Sequence, residues 1–407
     1  MAEAFKLRQL LVADETTFAS TAESGTPTWS VNLPIQSASL ELRQDRIPDG
    51  SLLPRLADTL LGHPGARSAT LKFTTYAVGH LTTAAGALSE TWQQQLIGDG
   101  LGGNVVTEDG GTVSAAASIS TVSTATVTWV AGGVYRFGSK GDGQGDGQAY
   151  VVSAATANLA TLINGFSTVP DAEDVIYACQ VAHHTEGATL TTKRFMMLHA
   201  TTGAQYAIFG AQLAGLKFNY PFGELPTVEF TYEAAYWRQI ATSFPDSTAL
   251  GSPDCAPVAG GTFVIQDVGT KTRSWTNASE VTINYDLGLS PIMGPGGANM
   301  GTYQNIVGWQ RTKCEATVEV TIPWVDTYQT WWDLANQSMT YKYLLFTANP
   351  TDGRAIGFFC PRVLPTGNRP TIEESNDQNY QRIAFRCREN SDTTSDLTRS
   401  AVRFFAG

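Results

Sequence analysis

The chain has 407 residues, 42% hydrophobic and 10% aromatic, and its 26 basic and 37 acidic side chains leave a net charge of −11. That hydrophobic content excludes intrinsic disorder, and the acidic balance excludes nucleic-acid binding through a bulk basic face. The length allows roughly two to four domains, and 39 Gly among many Ser, Thr, Val and Ala point to β structure rich in turns.

The N-terminal MAEAFKLRQLLV lacks an apolar run of signal-peptide type. Leu40 and Leu42 then alternate as on a strand, and a long Gly/Pro-containing loop follows from Gln44 to Arg67. Ala69-Thr70-Leu71-Lys72-Phe73-Thr74 reads as a strand. Glu90-Thr91-Trp92-Gln93, with Ser89 as cap, opens a short helix. From Gly98 to Leu190 comes a segment with strand patterns of its own: TATVTWV, VYRF, AYVVSA and DVIYACQV. It holds nine acidic residues against Arg136 and Lys140, a net charge of −7. Strand KRFMMLHA (Lys193 to Ala200) follows, and then a turn and strand, Tyr220-Pro221-Phe222-Gly223-Glu224-Leu225-Pro226-Thr227-Val228-Glu229. The Ser-, Pro- and Gly-rich stretch from Ser243 to Gly261 marks a linker.

Beyond the linker the pattern repeats in the same order. Val281 and Ile283 alternate, and a second long loop runs from Leu287 to Arg311. Ala316-Thr317-Val318-Glu319-Val320-Thr321 echoes the segment at Ala69, and Asp326-Thr327-Tyr328-Gln329 echoes the helix start. Strand YKYLLFTA (Tyr341 to Ala348) follows almost at once. Leu364-Pro365-Thr366-Gly367-Asn368-Arg369-Pro370-Thr371-Ile372-Glu373 shares the pattern P-x-G-x-x-P-T-[VI]-E with the segment at Tyr220. Ordered repetition of this kind implies duplication. The units are a first domain of residues 1–97 and 191–245, an insertion of 98–190, a linker of 246–272 and a second domain of 273–407.

Motifs with chemistry are scarce. Gly98-Asp99-Gly100-Leu101-Gly102-Gly103 matches G-x-G-x-x-G, but a helix precedes it where a dinucleotide site needs a strand, so it reads as a linker. Gly141 to Gly147 alternates Gly with Asp and reads as a solvated hairpin tip, since a calcium loop needs more oxygen ligands. His183-His184 would face opposite ways on a strand. Asp171-Ala172-Glu173-Asp174 reads as a solvated turn, and Trp324, Trp331 and Trp332 as core. Asn277-Ala278-Ser279 is a sequon without a secretion signal. The five Cys (Cys179, Cys255, Cys314, Cys360 and Cys387) are odd in number and widely spaced, as free thiols of a reducing compartment are. Gly110 to Tyr135 is uncharged, but it is rich in Ser and Thr and alternates like a strand, which argues against a membrane span. No catalytic, cofactor or metal residue is assigned, and no enzyme activity or cofactor is expected.

Leu10-Leu11-Val12-Ala13-Asp14-Glu15-Thr16-Thr17-Phe18 resembles the opening of tail tube proteins of long-tailed bacteriophages. Leu40-Glu41-Leu42-Arg43 before a polar loop is similar, as are Ala207-Ile208-Phe209-Gly210, Leu216-Lys217-Phe218 and Pro226-Thr227-Val228-Glu229-Phe230. The resemblance covers most of the chain and rests on strands and turns. It implies an all-β fold: duplicated tail-tube β-sandwich or barrel domains, each with a short flanking helix, plus an inserted small β-domain. It further implies a virion protein, assembled in the host cytoplasm, whose rings stack into a conduit for DNA. Two copies per chain imply a trimeric ring with pseudo-sixfold symmetry; a hexamer with one copy lining the channel is the alternative. Partners implied are further copies of the chain and the tail terminator, baseplate or distal tail, and tape measure proteins. DNA would pass without specific binding, and no membrane is involved. Glu41, Lys72, Glu229, Glu319 and Glu373 occupy polar strand positions and are the candidate lumen-facing residues. The long loops would contact the next ring. Competing readings are a baseplate hub or distal tail protein of this fold, a carbohydrate-binding surface protein, and a β-sandwich glycosidase.

Overall fold

In a computed structural model the described residues are 9–47 apart from 16–17 and 20–30, 63–77, 92–106, 111–138 apart from 115–117, 119 and 125–126, 149–198 apart from 157, 167–168, 173 and 189, 204–240 apart from 222, 261–294 apart from 269–274 and 277, 306–323, 341–348, and 355–407 apart from 367–370, 376–377 and 394. Among the described residues strands dominate, at 68% against 6% helix, so the protein is all-β. The first part holds β1 (Gln9–Asp14), β2 (Val31–Asn32), β3 (Ile35–Ile47), β4 (His63–Tyr76), helix α1 (Trp92–Leu101) and β5 (Gly102–Val106). Next come β6 (Gly111–Thr112), β7 (Thr121–Ser123), β8 (Val134–Gly138), β9 (Ala149–Ala155), β10 (Leu159–Leu162) and β11 (Val175–Ala178). Then follow β12 (Gln180–His184), β13 (Lys193–Leu198), β14 (Gln205–Pro221) and β15 (Thr227–Ile240). The last part has β16 (Gly261–Asp267), β17 (Trp275–Thr276), β18 (Glu280–Asp286), β19 (Leu289–Met293), β20 (Ile306–Arg311), β21 (Glu315–Pro323), β22 (Lys342–Ala348), β23 (Ile356–Pro365), β24 (Thr371–Ser375), β25 (Gln378–Arg388), α2 (Asp396–Arg399) and β26 (Arg403–Ala406).

Pairing order repeats. In the first half, antiparallel neighbours run β2-β1-β13-β14-β15-β4-β3. In the second half they run β17-β16-β22-β23-β25-β21-β18. The two series match strand for strand, except that the single long β14 corresponds to β23 and β24 together, both of which pair with β25. An ion pair repeats with them. Lys193 is buried and bonds Asp14 directly across the β1–β13 ladder, with Asp99 of α1 as a second acceptor. Lys342 bonds Asp267 at 2.7 Å across β16–β22. A buried ammonium is tolerated only when paired, which explains the same Lys–Asp solution in both halves.

One of the sequence echoes fails in three dimensions. Thr227-Val228-Glu229 opens β15, which pairs with β4, whereas Thr371-Ile372-Glu373 lies on β24, which pairs with β25. The counterpart of β15 is β25. A P-x-G-x-x-P-T pattern specifies a turn and an extended exit but not the neighbour that the exit finds. The alternating pairs also shift by two residues: Leu40 faces Leu71 as Ile283 faces Val318.

The halves share a core. Leu71, Phe73, Phe230, Ile283, Val318, Phe358 and Phe385 belong to one buried apolar cluster. Phe218 of the first half stacks on Phe404 with ring centroids 4.6 Å apart, and Tyr220 meets Phe346 at 4.7 Å. Helix α1 contributes Leu96, Ile97 and Leu101 to this core. It begins at Trp92, with the expected cap Ser89 and opening residues Glu90 and Thr91 outside the described residues, and it continues through Gly98-Asp99-Gly100, so that stretch is not a linker. A Cβ on Gly100 would strike Leu213, and Gly102 takes φ +88 to enter β5. These glycines serve close packing. The equivalent helix start at Asp326, Gly141 to Gly147 and the three tryptophans lie outside the described residues, as does 246–260 of the expected linker 246–272; Gly261–Asp267 of that linker is instead β16, a strand of the second half with Phe263 and Ile265 in the core.

The separate sheet is narrower than 98–190. β5 pairs with β12, and β12 pairs with β26, inside the large sheet. Only strands between 111 and 178 form the six-stranded sheet β6-β11-β8-β9-β10-β7. One face buries Trp129, Tyr135, Phe137, Tyr150 and Phe166. Val134, Ala149 and Val151 on the other face pack against Tyr343, Leu345, Phe359 and Phe405.

Both ends of each long loop are strand, and residues 48–62 and 295–305 between them lie outside the described residues. β3 and β4 extend into the first, to Ile47 and from His63. In the second, Gly288 (φ +52) turns the chain out of β18 into the hairpin β19–β20. Thr312 then donates its N–H to the Gly288 carbonyl at 2.8 Å. The hairpin folds back on its own chain. Trp309 Nε1 donates to the Gly210 carbonyl at 2.7 Å, and Arg311 to that of Leu101 at 2.8 Å. The base of this loop is therefore an intrachain contact, while Met293 near its tip is 60% exposed. A Cβ at Gly288 would run into the Lys313 carbonyl. Gly288→Ala is expected to lower unfolding free energy by about 1–3 kcal/mol, measured by urea denaturation. An unchanged midpoint would show that the kink is not needed.

Candidate functional site

The two halves join edge to edge. β14 is 17 residues long and changes partner along its length. Its first part pairs with β13 and its last part with β18, from Gly215↔Asp286 to Pro221↔Glu280. The result is one antiparallel run of eight strands: β3-β4-β15-β14-β18-β21-β25-β24. Among the described residues β3 pairs with β4 alone and β24 with β25 alone, so the run ends in two open edges.

Alternation gives this run a core face and a polar face. Glu41, Lys72, Glu229 and Glu319 all fall on the polar face. Lys72 lies opposite Ser39 and Thr231, Glu229 opposite Thr74 and Lys217, and Glu319 opposite Thr282 and Ala384. The Glu373 backbone pairs with Tyr380 in the same register series, while its side chain lies outside the described residues. Sequence periodicity thus assembled one face from strands far apart in the chain.

It missed the counter-charges. Arg43 Nε donates to Glu41 at 2.9 Å, and its guanidinium holds the exposed Glu41 carboxyl below the usual range. Arg382 bonds Glu319, and Arg386 bonds Glu315. Lys217, directly opposite Glu229, adds a further cation. Glu233 accepts from Thr70 Oγ1 at 3.0 Å, and burial pushes its pKa up. The face is therefore mixed in sign rather than an acidic field. The chain's acidity does not concentrate there.

The open edge of β3 is apolar on its core side. Leu40 and Leu42 are half-buried against the main core. Their counterparts Ile283 and Tyr285 are 0% and 2% exposed, because β14 covers them. An uncovered strand edge with half-exposed leucines is a template for another strand.

The remaining motifs make no shared site. His183 and His184 lie on β12, and burial lowers the pKa of each. Asp174 Oδ2 accepts the Asp171 N–H at 2.8 Å, closing the expected turn. Among the described residues no cluster of three metal-ligating side chains occurs, and no helix is long and apolar enough to cross a membrane. Cys314, Cys360 and Cys387 are free thiols, and Cys255 lies outside the described residues. Comparison with known proteins adds no further assignment: no protein-family model matches the chain, and no curated protein matches it.

Proposed function

We propose that the protein is a structural virion protein of the tail tube kind, whose copies close into trimeric rings that stack into a conduit for DNA. The observation that carries this reading is the β14–β18 junction together with the two open edges. Each half supplies four strands to one continuous sheet: β3-β4-β15-β14, then β18-β21-β25-β24. The chain already contains one such junction. A second, between β24 of one copy and β3 of the next, would repeat it. Three copies would close a ring with six equivalent units, and closure would remove every open edge.

Internal symmetry fixes the register. Thr74 and Thr321 hold equivalent places, facing Glu229 and Arg382 respectively, which makes Lys217 and Thr371 equivalent. Phe218 pairs with Ile283 and Asn219 with Thr282, and Thr282 Oγ1 donates to Asn219 Oδ1 at 2.9 Å. The interchain pairs are then Ile372 with Leu40 and Glu373 with Ser39. The polar face would line the lumen. A mixed-sign surface suits a duct, since it offers phosphate no continuous basic track. In this reading the chain is not an enzyme. It resides in the tail, is assembled in the host cytoplasm, and meets tail terminator, baseplate or distal tail, and tape measure proteins. DNA passes through without specific binding.

The double variant Ser39→Cys, Glu373→Cys is expected to oxidise into covalent trimers on non-reducing gels, with each single variant giving none. Dimers alone, or no crosslink in assembled material, would refute this register.

A further inference from the structure

A cavity of about 260 Å³ lies between the inserted sheet and the outer side of the second half. Val152 and Ile163 form its wall on the inserted side, and Tyr343 and Phe359 on the other. Arg403 completes the wall while being only 1% exposed. Its guanidinium donates to the carbonyls of Thr398 at 2.7 Å and Gly132 at 3.3 Å and lies 5.1 Å over the Phe359 ring. Among the described residues Nε has no hydrogen-bond partner and no carboxylate bonds this side chain. Arg362 at the same cavity is already committed to Asp392 and Ser391.

A buried cation without a counter-ion is costly. Burial lowers the Arg403 pKa to about 9, in line with that missing compensation. Carbonyl dipoles and an aromatic face offset part of the cost and leave the net charge standing. An anion entering the cavity would supply the rest, and the surrounding Val, Ile, Tyr and Phe side chains suit an apolar body behind the charged group.

We propose that this cavity binds a small organic anion, a carboxylate on a compact apolar body, with Arg403 as the charge partner. The inference stands independently of the tube reading.

Benzoate is the probe and benzamide its neutral isostere, titrated calorimetrically into the full-length protein. Benzoate is expected to bind at one site per chain, at least about tenfold more tightly than benzamide. Val268→Trp narrows the cavity from an exposed position and leaves Arg403 in place. It should weaken benzoate binding, and Arg403→Gln should remove it. If Arg403→Gln does not fold, the benzamide comparison and Val268→Trp decide. Equal binding of benzamide, no saturable benzoate binding up to about 10 mM, or binding unaffected by Val268→Trp would each overturn the proposal.

Discussion

Leu40→Lys is expected to leave the chain folded and to abolish its assembly. Leu40 sits on β3, whose outer edge has no strand partner among the described residues, and it is half-buried. On an open edge a lysine keeps its ammonium in water while its stem covers the core, so the monomer tolerates it. In a closed ring the same position would be covered as Ile283 is, at 0% exposure. The junction would lose roughly half of the 1.5–3 kcal/mol that full leucine burial supplies, since Leu40 is already half-buried, and would also have to desolvate a charge. That amounts to more than about a hundredfold in association at every junction. Sedimentation velocity should find monomers where the unmodified chain, on the proposed reading, would give rings or tubes, and thermal melting by circular dichroism should change little. Normal assembly of Leu40→Lys would remove β3 from the interface.

Glu15 should make stability fall as pH rises. Its carboxyl accepts the Gly210 N–H at 2.8 Å, Thr192 Oγ1 at 2.8 Å and the Ala19 N–H at 3.2 Å. Desolvation outweighs these donors and the charge of Arg194, and raises the pKa from 4.5 to about 7. An acid whose pKa is higher in the folded state binds its proton more tightly there than in the unfolded chain. The contribution is complete below pH 4.5 and is lost as pH climbs through 7. The span corresponds to about 3 kcal/mol at most. Comparison with Glu15→Gln isolates it, since His183, His184 and the surface carboxylates titrate in both proteins. Between pH 4.5 and 8 the stability of the unmodified chain relative to Glu15→Gln is expected to drop by up to that amount. A constant difference would mean that Glu15 is not held in its neutral form. The site is tightly packed: Gly210 takes φ +61, and a Cβ there would touch Ala19 and Ala235.

Local pattern carried much of the fold. ATLKFT and ATVEVT announced β4 and β21 by alternation, and a helix follows Thr91 as the pattern there implied. Periodicity also set Glu41, Lys72, Glu229 and Glu319 on one face, because a strand's parity survives any choice of partner. Partner choice itself was hidden. Nothing local tells β14 to leave β13 for β18, or distinguishes β24 from β25 as the counterpart of β15. The paired lysines were hidden for the same reason, as Lys193 and Asp14 are 179 residues apart and Lys342 and Asp267 are 75 apart. The insertion was drawn too wide because β5 and β12 have strand character wherever they pair. Arg382 and Arg386, which offset the carboxylates of the polar face, alternate on β25 among residues that show no charge pattern of their own.

Electron microscopy of the purified protein, with class averages viewed down the particle axis, tests the central claim most directly. Rings or tubes with an open lumen and three protruding inserted sheets per ring are the predicted result. Monomers or small closed particles without a lumen, under conditions where the protein is folded, would contradict it.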